Sequence, residues 1–206
     1  ALACDPTSAS GGIVSCNFRI ATGLALELSK LFIEAIIANK FDNNALKILK
    51  KKKNLRLIDA SNYSINQDLK HISTSNEILF QSEDLKKFTP KDFKIVSKRK
   101  PSKKEMKNLI FAFNICRYVK SNGIVIASNE TTAGIGSGQP SRLDSCNIAI
   151  NKMKKFSKIN ESLVAASDAF FPFVDGIEKL VQSGVQAVVQ PSGSIRDKEI
   201  IKFANE

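Results

Sequence analysis

The chain has 206 residues, and its 31 Lys and Arg exceed its 20 Asp and Glu, which gives a formal charge of +11. With 43% hydrophobic and 25% charged residues, a chain of this length can bury a sizeable core, and wholesale disorder is excluded. No stretch approaches the roughly 18 consecutive apolar residues of a membrane helix, so no membrane partner is expected. The chain lacks an initiator Met and its last helical pattern is cut short, so we expect a fragment that is truncated at its C-terminus.

Short apolar segments alternate with amphipathic ones, which predicts strands separated by helices. In the first half we expect strands at 12–16, 33–38, 55–59, 78–81 and 93–97, with helices at 21–31 and 43–51. In the second half we expect strands at 123–127, 132–135, 163–166 and 185–190, a turn at 128–130, and helices at 102–119, 141–156, 173–183 and 195–204. Residues 60–90 are otherwise polar, and no role is assigned to them.

This alternation predicts an α/β fold, layered α/β/α, with a largely parallel sheet. The helix at 102–119 opens on a capping box formed by Ser102 and Glu105. Apolar residues cover nearly every face of that helix, so it is expected to be buried on most sides. The basic, proline-marked segment 97–102 is the best internal boundary, and we expect domains at 1–97 and 98–206.

The four cysteines stand singly in the sequence, and the single histidine is His71. Zinc and redox motifs need ligands clustered on one turn, and no C-x-x-C pair is present. We therefore expect reduced cysteines, no bound metal and a cytoplasmic protein, because disulfides are rare there.

The basic excess is concentrated in runs at 50–53, 98–100, 103–104 and 152–158. A positive field attracts nucleic acid, and it equally attracts small anions such as nucleotides. The runs lack interleaved aromatic residues on which bases could stack, and cations also suit the ends of helices. A basic nucleic-acid-binding module is therefore the alternative class, and it depends on the charge alone.

Three segments rich in Gly and Ser lie at 5–12, 134–142 and 191–197, where predicted strands end or helices begin. Glycines let a backbone approach a ligand, and helix N-termini supply N–H donors for anions. Neither G-x-G-x-x-G nor a Walker lysine is present, so dinucleotide and P-loop sites are not indicated. The segments are either plain turns or, taken together, a site for a nucleotide-sized anion at the carboxyl ends of strands.

A fourth segment, 167–176, carries two aspartates that bracket three phenylalanines directly after a predicted strand. It is either a core plug with capping carboxylates or an aromatic slot that stacks a heterocycle while a carboxylate binds its edge.

These segments resemble one family over nearly the whole chain. The resemblance covers Asp-Pro-x-Ser-Ala-x-Gly-Gly at 5–12, Phe-Ile-Glu-Ala-Ile-Ile-Ala at 32–38, Leu-Lys-Lys-Lys-Lys-Asn-Leu-Arg-Leu at 49–57, Val-Lys-Ser-Asn at 119–122, and 134–142, 167–175 and 190–197. The family is the transformylase domain of the bifunctional aminoimidazole carboxamide ribonucleotide (AICAR) formyltransferase / IMP cyclohydrolase.

The resemblance implies two cytidine-deaminase-like subdomains without zinc, and formyl transfer from 10-formyltetrahydrofolate to AICAR, giving FAICAR, in de novo purine biosynthesis. It also implies a homodimer that binds small molecules and no nucleic acid. By matching position, the ribonucleotide is held by Gly11, Glu34, Asn122, Arg142 and Phe170. The folate is held by Leu143, Pro172, Phe173, Asp175 and Ser194.

Physically, Arg142 at a helix start suits a phosphate, and Asn122 can orient the carboxamide near the reacting amine. Three departures from the family pattern, at Ser10, Pro140 and Val174, are expected to alter affinity. The last of them replaces an arginine before Asp175, so a charge near the folate is lost.

The catalytic base of the family is the histidine of a Lys-His-x-Asn-Pro-Cys-Gly motif, which is absent from the 206 residues. Lys70-His71 does not replace it, because Ile72 and Ser73 follow. We therefore expect the chain alone to be inactive, with Asn122 as its orienting catalytic residue and IMP cyclohydrolase activity on a missing N-terminal domain. A non-catalytic relic of the family is the remaining alternative.

Overall fold

A computed structural model describes residues 2–63, 70–157 and 161–206. The backbone forms two compact units. The N-terminal unit is Thr7–Leu85, and the C-terminal unit is Lys86–Glu206 together with Ala1–Pro6. The expected division at 97 and 98 concerns the two deaminase-like subdomains and stays a prediction.

The N-terminal unit is built on a parallel three-stranded sheet with the order β1-β2-β3. Its elements are β1 (Gly12–Ile20), α1 (Thr22–Ser29), β2 (Ile33–Phe41), α2 (Asn43–Leu49) and β3 (Arg56–Asp59). Ile36 and Ala38 of the central strand are fully buried in one core with Ala25 of α1 and Ala45 of α2. Residues 60–90 contain an antiparallel hairpin of β4 (Lys70–Ser73) and β5 (Ile78–Gln81); β5 was predicted and β4 was not.

The C-terminal unit has a four-stranded sheet with the order β7-β6-β8-β9. Two short 3-10 helices, Leu2–Cys4 and Pro90–Asp92, belong to this unit. Its main elements are α3 (Lys103–Cys116), β6 (Ile124–Ser128), β7 (Thr131–Gly136), α4 (Arg142–Phe156), β8 (Val164–Ser167), α5 (Asp175–Gln182), β9 (Ala187–Val189) and α6 (Asp197–Phe203).

Helices cover both faces of this second sheet. Alternate side chains of a strand point to opposite faces, and in β6 Ile124 and Ile126 enter a core shared with α4, α5 and α6. Val125 and Ala127 enter a second core with α3. Every residue of β6 is buried, so this unit is layered helix, sheet, helix, and the predicted α/β class is confirmed.

The prediction of a largely parallel sheet is correct for the N-terminal unit and wrong for the C-terminal one. There β6 is antiparallel to both neighbours, and only β8 and β9 run parallel. The cause is the predicted turn between β6 and β7. Asn129 and Glu130 have φ of 50° and 51°, the left-handed conformation that closes a two-residue hairpin.

The predicted strand at 93–97 does not form. The ring of Phe93 instead lies 5.5 Å from the ring of Phe113 on α3 and 6.1 Å from that of Phe88, measured between centroids. Packing of this aromatic cluster, and not strand pairing, fixes the segment. None of the helices in the described ranges combines the length and the apolar character needed to cross a membrane.

Two glycines of β7 allow α4 to pack directly on the strand. A Cβ at Gly134 would lie 2.1 Å from the carbonyl oxygen of Ala149, and one at Gly136 would lie 1.9 Å from that of Ser145. Both oxygens belong to the backbone of α4, which cannot give way as a flexible side chain would. These two glycines therefore serve helix packing, and among the three glycines at 134–138 only Gly138, with φ of 69°, is a turn residue.

We expect Gly136→Ala to lower the free energy of unfolding by about 3 kcal/mol, because α4 must move off β7. Gly23→Ala is the control, since a Cβ there meets nothing within 4 Å in the first turn of α1. That change should raise stability by up to about 1 kcal/mol. Urea unfolding followed by circular dichroism measures both values, and a Gly136→Ala protein as stable as the wild type would contradict the packing argument.

Candidate functional site

The C-terminal unit carries a cavity of about 450 Å³ at one edge of its sheet. The amino end of β6 and the carboxyl ends of β7 and β8 meet at this edge, because β6 is antiparallel to both neighbours. The lining residues are Asn122, Pro140, Ser141, Arg142, Leu143, Ala169, Phe170, Phe171, Pro172, Phe173, Asp175 and Gly176. Seven residues expected to bind ribonucleotide or folate are among them, and Ser194 is not.

Arg142 is held by hydrogen bonds on both of its terminal nitrogens. Nη1 donates to Oδ1 of Asp168 at 2.5 Å and to Oγ of Ser167 at 2.8 Å. Nη2 donates to Oδ1 of Asn122 at 2.8 Å. The side chains of Arg142 and Asp168 are only 10% and 12% exposed, so this is a largely buried ion pair. These bonds use three of the five N–H donors of the guanidinium and fix its position within the protein.

Asp168 collects donors from three segments of the chain. Its carboxylate accepts from Nη1 of Arg142, from the backbone N–H of Gly123 at 2.9 Å and from the hydroxyl of Ser121. Burial by itself raises the pKa of this carboxyl, but the hydrogen bonds from Ser121, Arg142 and Gly123 outweigh burial and lower the pKa below its usual value. Asp168 is therefore a carboxylate in the folded protein at neutral pH.

The carboxamide of Asn122 is fixed at three points. Its Nδ2 donates to the carbonyl oxygens of Gln139 at 2.9 Å and Pro140 at 3.0 Å, while its Oδ1 accepts from Arg142. Its backbone carbonyl accepts from the hydroxyl of Ser145 on α4 at 2.7 Å. A side chain held in this way is preorganised before any ligand arrives.

The opposite wall is aromatic, and its rings differ in burial. Phe171 is the core plug: it is 1% exposed, and its backbone N–H donates to Oε1 of Gln190 at 2.9 Å. Phe170 and Phe173 are 39% and 51% exposed and can stack a ring. Asp175 is exposed in the first turn of α5, with its Oδ1 accepting from the N–H of Gly176 at 2.7 Å.

Ser194 lies in the loop between β9 and α6, beside this aromatic wall. Its Oγ accepts from the backbone N–H of Arg196 at 3.1 Å. The guanidinium of Arg196 stands 4.7 Å from the centroid of the Phe173 ring. The loop therefore contacts the 170–173 segment, although Ser194 itself does not line the cavity.

Gly11 and Glu34 lie in the N-terminal unit. Glu34 lines a second cavity, of about 510 Å³, with Phe32, Ile33, Lys52, Lys53, Asn54, Leu55 and Arg56. Gly11 has φ of 71°, which favours glycine, and donates its N–H to the carbonyl of Phe32 at 2.9 Å. These residues are at the amino ends of β1 and β2. For segment 5–12, which carries Gly11, the sequence led us to expect a place at the carboxyl ends of strands.

In the described ranges, no three His, Cys, Asp or Glu side chains come together as a metal site. All four cysteines are free thiols. Burial raises the pKa of both Cys116 and Cys146 to about 12, so each stays protonated at neutral pH. His71 stands on the exposed hairpin strand β4.

Sequence reasoning missed how Asp168 and Ser121 take part in the site. Asp168 stood out as one of two aspartates around the phenylalanines, and its position directly after a buried strand was the available signal. Its pairing with Arg142, 26 residues earlier, leaves no mark in the sequence.

The fold is mixed α/β, and its C-terminal unit holds a cavity in which a charge-paired polar wall faces an aromatic one. The family model described as "AICARFT/IMPCHase bienzyme" matches residues 1–152. The chain therefore belongs to this family.

The chain is also similar to curated proteins named bifunctional purine biosynthesis protein PurH. It is 43% identical to that of Persephonella marina over 100% of the chain and 40% of the relative. The identity is 44% for the proteins of Aquifex aeolicus and Buchnera aphidicola, in each case over 98% of the chain and 39% of the relative. The chain thus spans about 40% of the length of these relatives.

The Arg142–Asp168 pair predicts a defined dependence of stability on pH. Because the folded pKa of Asp168 is lowered, its contribution is fully present above the unfolded value of about 3.9 and is lost as pH falls through the lowered pKa. Asp168→Asn should cost about 3 kcal/mol at pH 7. Urea unfolding from pH 7 to pH 3 measures the free energy of unfolding of wild type and variant, and the difference between the two values should shrink at the acid end. A difference that stays constant with pH would refute the stabilising role of the Asp168 carboxylate.

Proposed function

We propose that this chain takes part in formyl transfer from 10-formyltetrahydrofolate to AICAR, giving FAICAR, in de novo purine biosynthesis. Membership of the AICARFT/IMPCHase family supplies the reaction class. The observation that carries the proposal is the cavity of the C-terminal unit, where a fixed carboxamide shares a pocket with two exposed aromatic rings and a carboxylate. The IMP cyclohydrolase activity of the family is proposed to reside outside these 206 residues.

For the ribonucleotide we propose Asn122, Arg142 and Phe170 in the C-terminal unit, with Gly11 and Glu34 in the N-terminal unit. Asn122 and Arg142 line the cavity and are already fixed by each other, so neither needs to be ordered when a ligand binds. Phe170 offers a partly exposed ring for the imidazole. Arg142 is proposed to act both by direct contact and through Asn122, since three of its five N–H donors are used within the protein.

For the folate we propose Leu143, Pro172, Phe173, Asp175 and Ser194. The residues fit a pterin, whose flat ring stacks on Phe173 and whose amino and ring N–H groups are donors for the exposed carboxylate of Asp175. Leu143 and Pro172 complete an apolar lining. Ser194 would contact the bound folate from the adjoining loop.

In the proposed reaction, the amine nitrogen of AICAR forms a bond to the formyl carbon, and the bond from that carbon to N10 of the folate breaks. The amine gives its proton to a base, and N10 takes up a proton. The family's Lys-His motif is absent from these residues, so we propose that the base lies outside them and that Asn122 orients the nucleotide. A positioned base typically contributes about 10²–10⁴-fold.

We also propose three further features that the family resemblance implies. Residues 1–97 and 98–206 correspond to zinc-free subdomains of the cytidine-deaminase type. The full-length protein is a homodimer, and it works in the cytoplasm, which its free cysteines favour. Nucleic-acid binding is supported by the charge of +11 alone and would show as strongly salt-dependent affinity for duplex DNA.

We expect Asp175→Asn to weaken tetrahydrofolate binding by tenfold or more, because hydrogen bonds to a charged group are worth about 1.5–3 kcal/mol. The matched control is Glu178→Gln, which makes the same charge change one turn further along α5. Since the chain has no Trp, binding can be followed by the fluorescence of the folate itself. Equal affinities for the two variants would remove Asp175 from the folate site.

We expect His71→Ala to leave formyl transfer unchanged in a full-length protein that carries this chain, because His71 is exposed on a surface hairpin. Replacing the histidine of the family's Lys-His motif by alanine should lower kcat by about 10²–10⁴-fold. Both rates follow from the absorbance change as tetrahydrofolate is released. A comparable loss in His71→Ala would show that the base has been misplaced and belongs to this chain.

A further inference from the structure

Asp168 does not line the cavity, yet it is joined through Arg142 to a residue that does. The connection runs from the hydroxyl of Ser121 to the carboxylate of Asp168, then to the guanidinium of Arg142 and finally to Oδ1 of Asn122. Every link includes at least one charged group, and such hydrogen bonds are stronger than neutral ones. Asp168 thereby fixes the position of the Arg142 guanidinium, and the guanidinium fixes the orientation of the Asn122 carboxamide.

The orientation of the Asn122 amide follows from the chemistry of its neighbours. A guanidinium can only donate, so the atom that faces Arg142 must be the oxygen. Backbone carbonyls can only accept, so the atom that faces Gln139 and Pro140 must be the nitrogen. Both assignments agree, and rotation of the amide by half a turn would set donors against donors and acceptors against acceptors.

This orientation limits what the amide can offer to a ligand. The two hydrogens of Nδ2 are used by the two carbonyls, and one lone pair of Oδ1 is used by Arg142. Counting partners among the described residues, the second lone pair of Oδ1 is the position left for a ligand. Asn122 can then accept an N–H and has no hydrogen to donate.

We propose that Asp168 is a positioning residue which, through Arg142, holds Asn122 as a hydrogen-bond acceptor for an N–H group of the ligand. The ligand identity rests on the proposed function, because AICAR carries N–H groups on its amine and on its carboxamide. The positioning itself rests only on contacts within the protein, so it can be tested without any ligand.

The ligand-free test measures hydrogen exchange of the Asn122 side-chain amide by NMR in the 206-residue chain. In the wild type both amide hydrogens should exchange slowly, and in Asp168→Asn they should exchange at least tenfold faster. Ser121→Ala is the milder variant, since it removes only the hydroxyl donor to Asp168, and it should give a smaller acceleration of exchange. It serves as the test if Asp168→Asn does not fold. Asp144→Asn, an exposed charge change on α4, should leave the exchange unchanged.

The ligand test compares AICAR with two analogues, one that lacks the amine and one in which the carboxamide is a carboxylate. In the wild type at least one analogue should bind about threefold to tenfold more weakly than AICAR, the usual worth of one hydrogen bond. Asn122→Ala and Asp168→Asn should abolish this discrimination, and Asp144→Asn should keep it. A purely structural role of Asp168 would lower stability without changing the ratio of affinities.

The outcomes separate the two hypotheses. If the wild type binds none of the three nucleotides, the proposed function fails, and the exchange rates alone decide the positioning. If it binds all three equally, or if the folded Asp168→Asn variant keeps the discrimination of the wild type, the role of Asp168 is overturned and the proposed function stands. Unchanged amide exchange in every folded variant would overturn the positioning directly.

Discussion

The buried ion pair between Arg142 and Asp168 is the interaction on which the rest of the site depends. Charges that leave water must be paired and hydrogen-bonded, because an unpaired buried charge costs several kcal/mol. The pair is 10% and 12% exposed, and it ties the first residue of α4 to the residue that follows β8. The backbone N–H of Gly123 joins the same carboxylate, so the segment before β6 is held as well. One charge pair thus brings three segments, distant in sequence, to one edge of the sheet.

Close packing of α4 on β7 makes that pair possible. Gly134 and Gly136 have no Cβ, and the carbonyls of α4 occupy the space where one would stand. The helix therefore lies against the strand, and the side chain of its first residue, Arg142, reaches Ser167 and Asp168 at the end of β8. A bulkier strand would push the helix outward and separate the guanidinium from Asp168. The glycines that suggested a phosphate loop act on the site indirectly, through the position of a helix.

The two walls of the cavity have different physical roles. The polar wall is rigid because each of its groups is already hydrogen-bonded within the protein, which suits the orientation of a small polar molecule. The aromatic wall combines one ring buried in the core with two exposed rings, so it keeps its shape while offering a surface for stacking. Such a division suits the proposed formyl transfer, in which two small molecules are held against each other and the proton is taken by a base outside these residues.

The sequence by itself determined the elements and the family. Helix starts at Ser102 and Ser141, the buried strands and the turn at 128–130 follow from capping, periodicity and turn chemistry, which act within a few residues. It also marked the segments that carry Asn122, Arg142 and Asp168. Only the tertiary structure decided the antiparallel order of the second sheet, the failure of 93–97 to pair as a strand, and the pairing of Arg142 with Asp168. These outcomes depend on contacts between segments that are dozens of residues apart in the sequence. Burial selects among such contacts, because a buried charge needs a charged partner and a buried ring needs apolar neighbours.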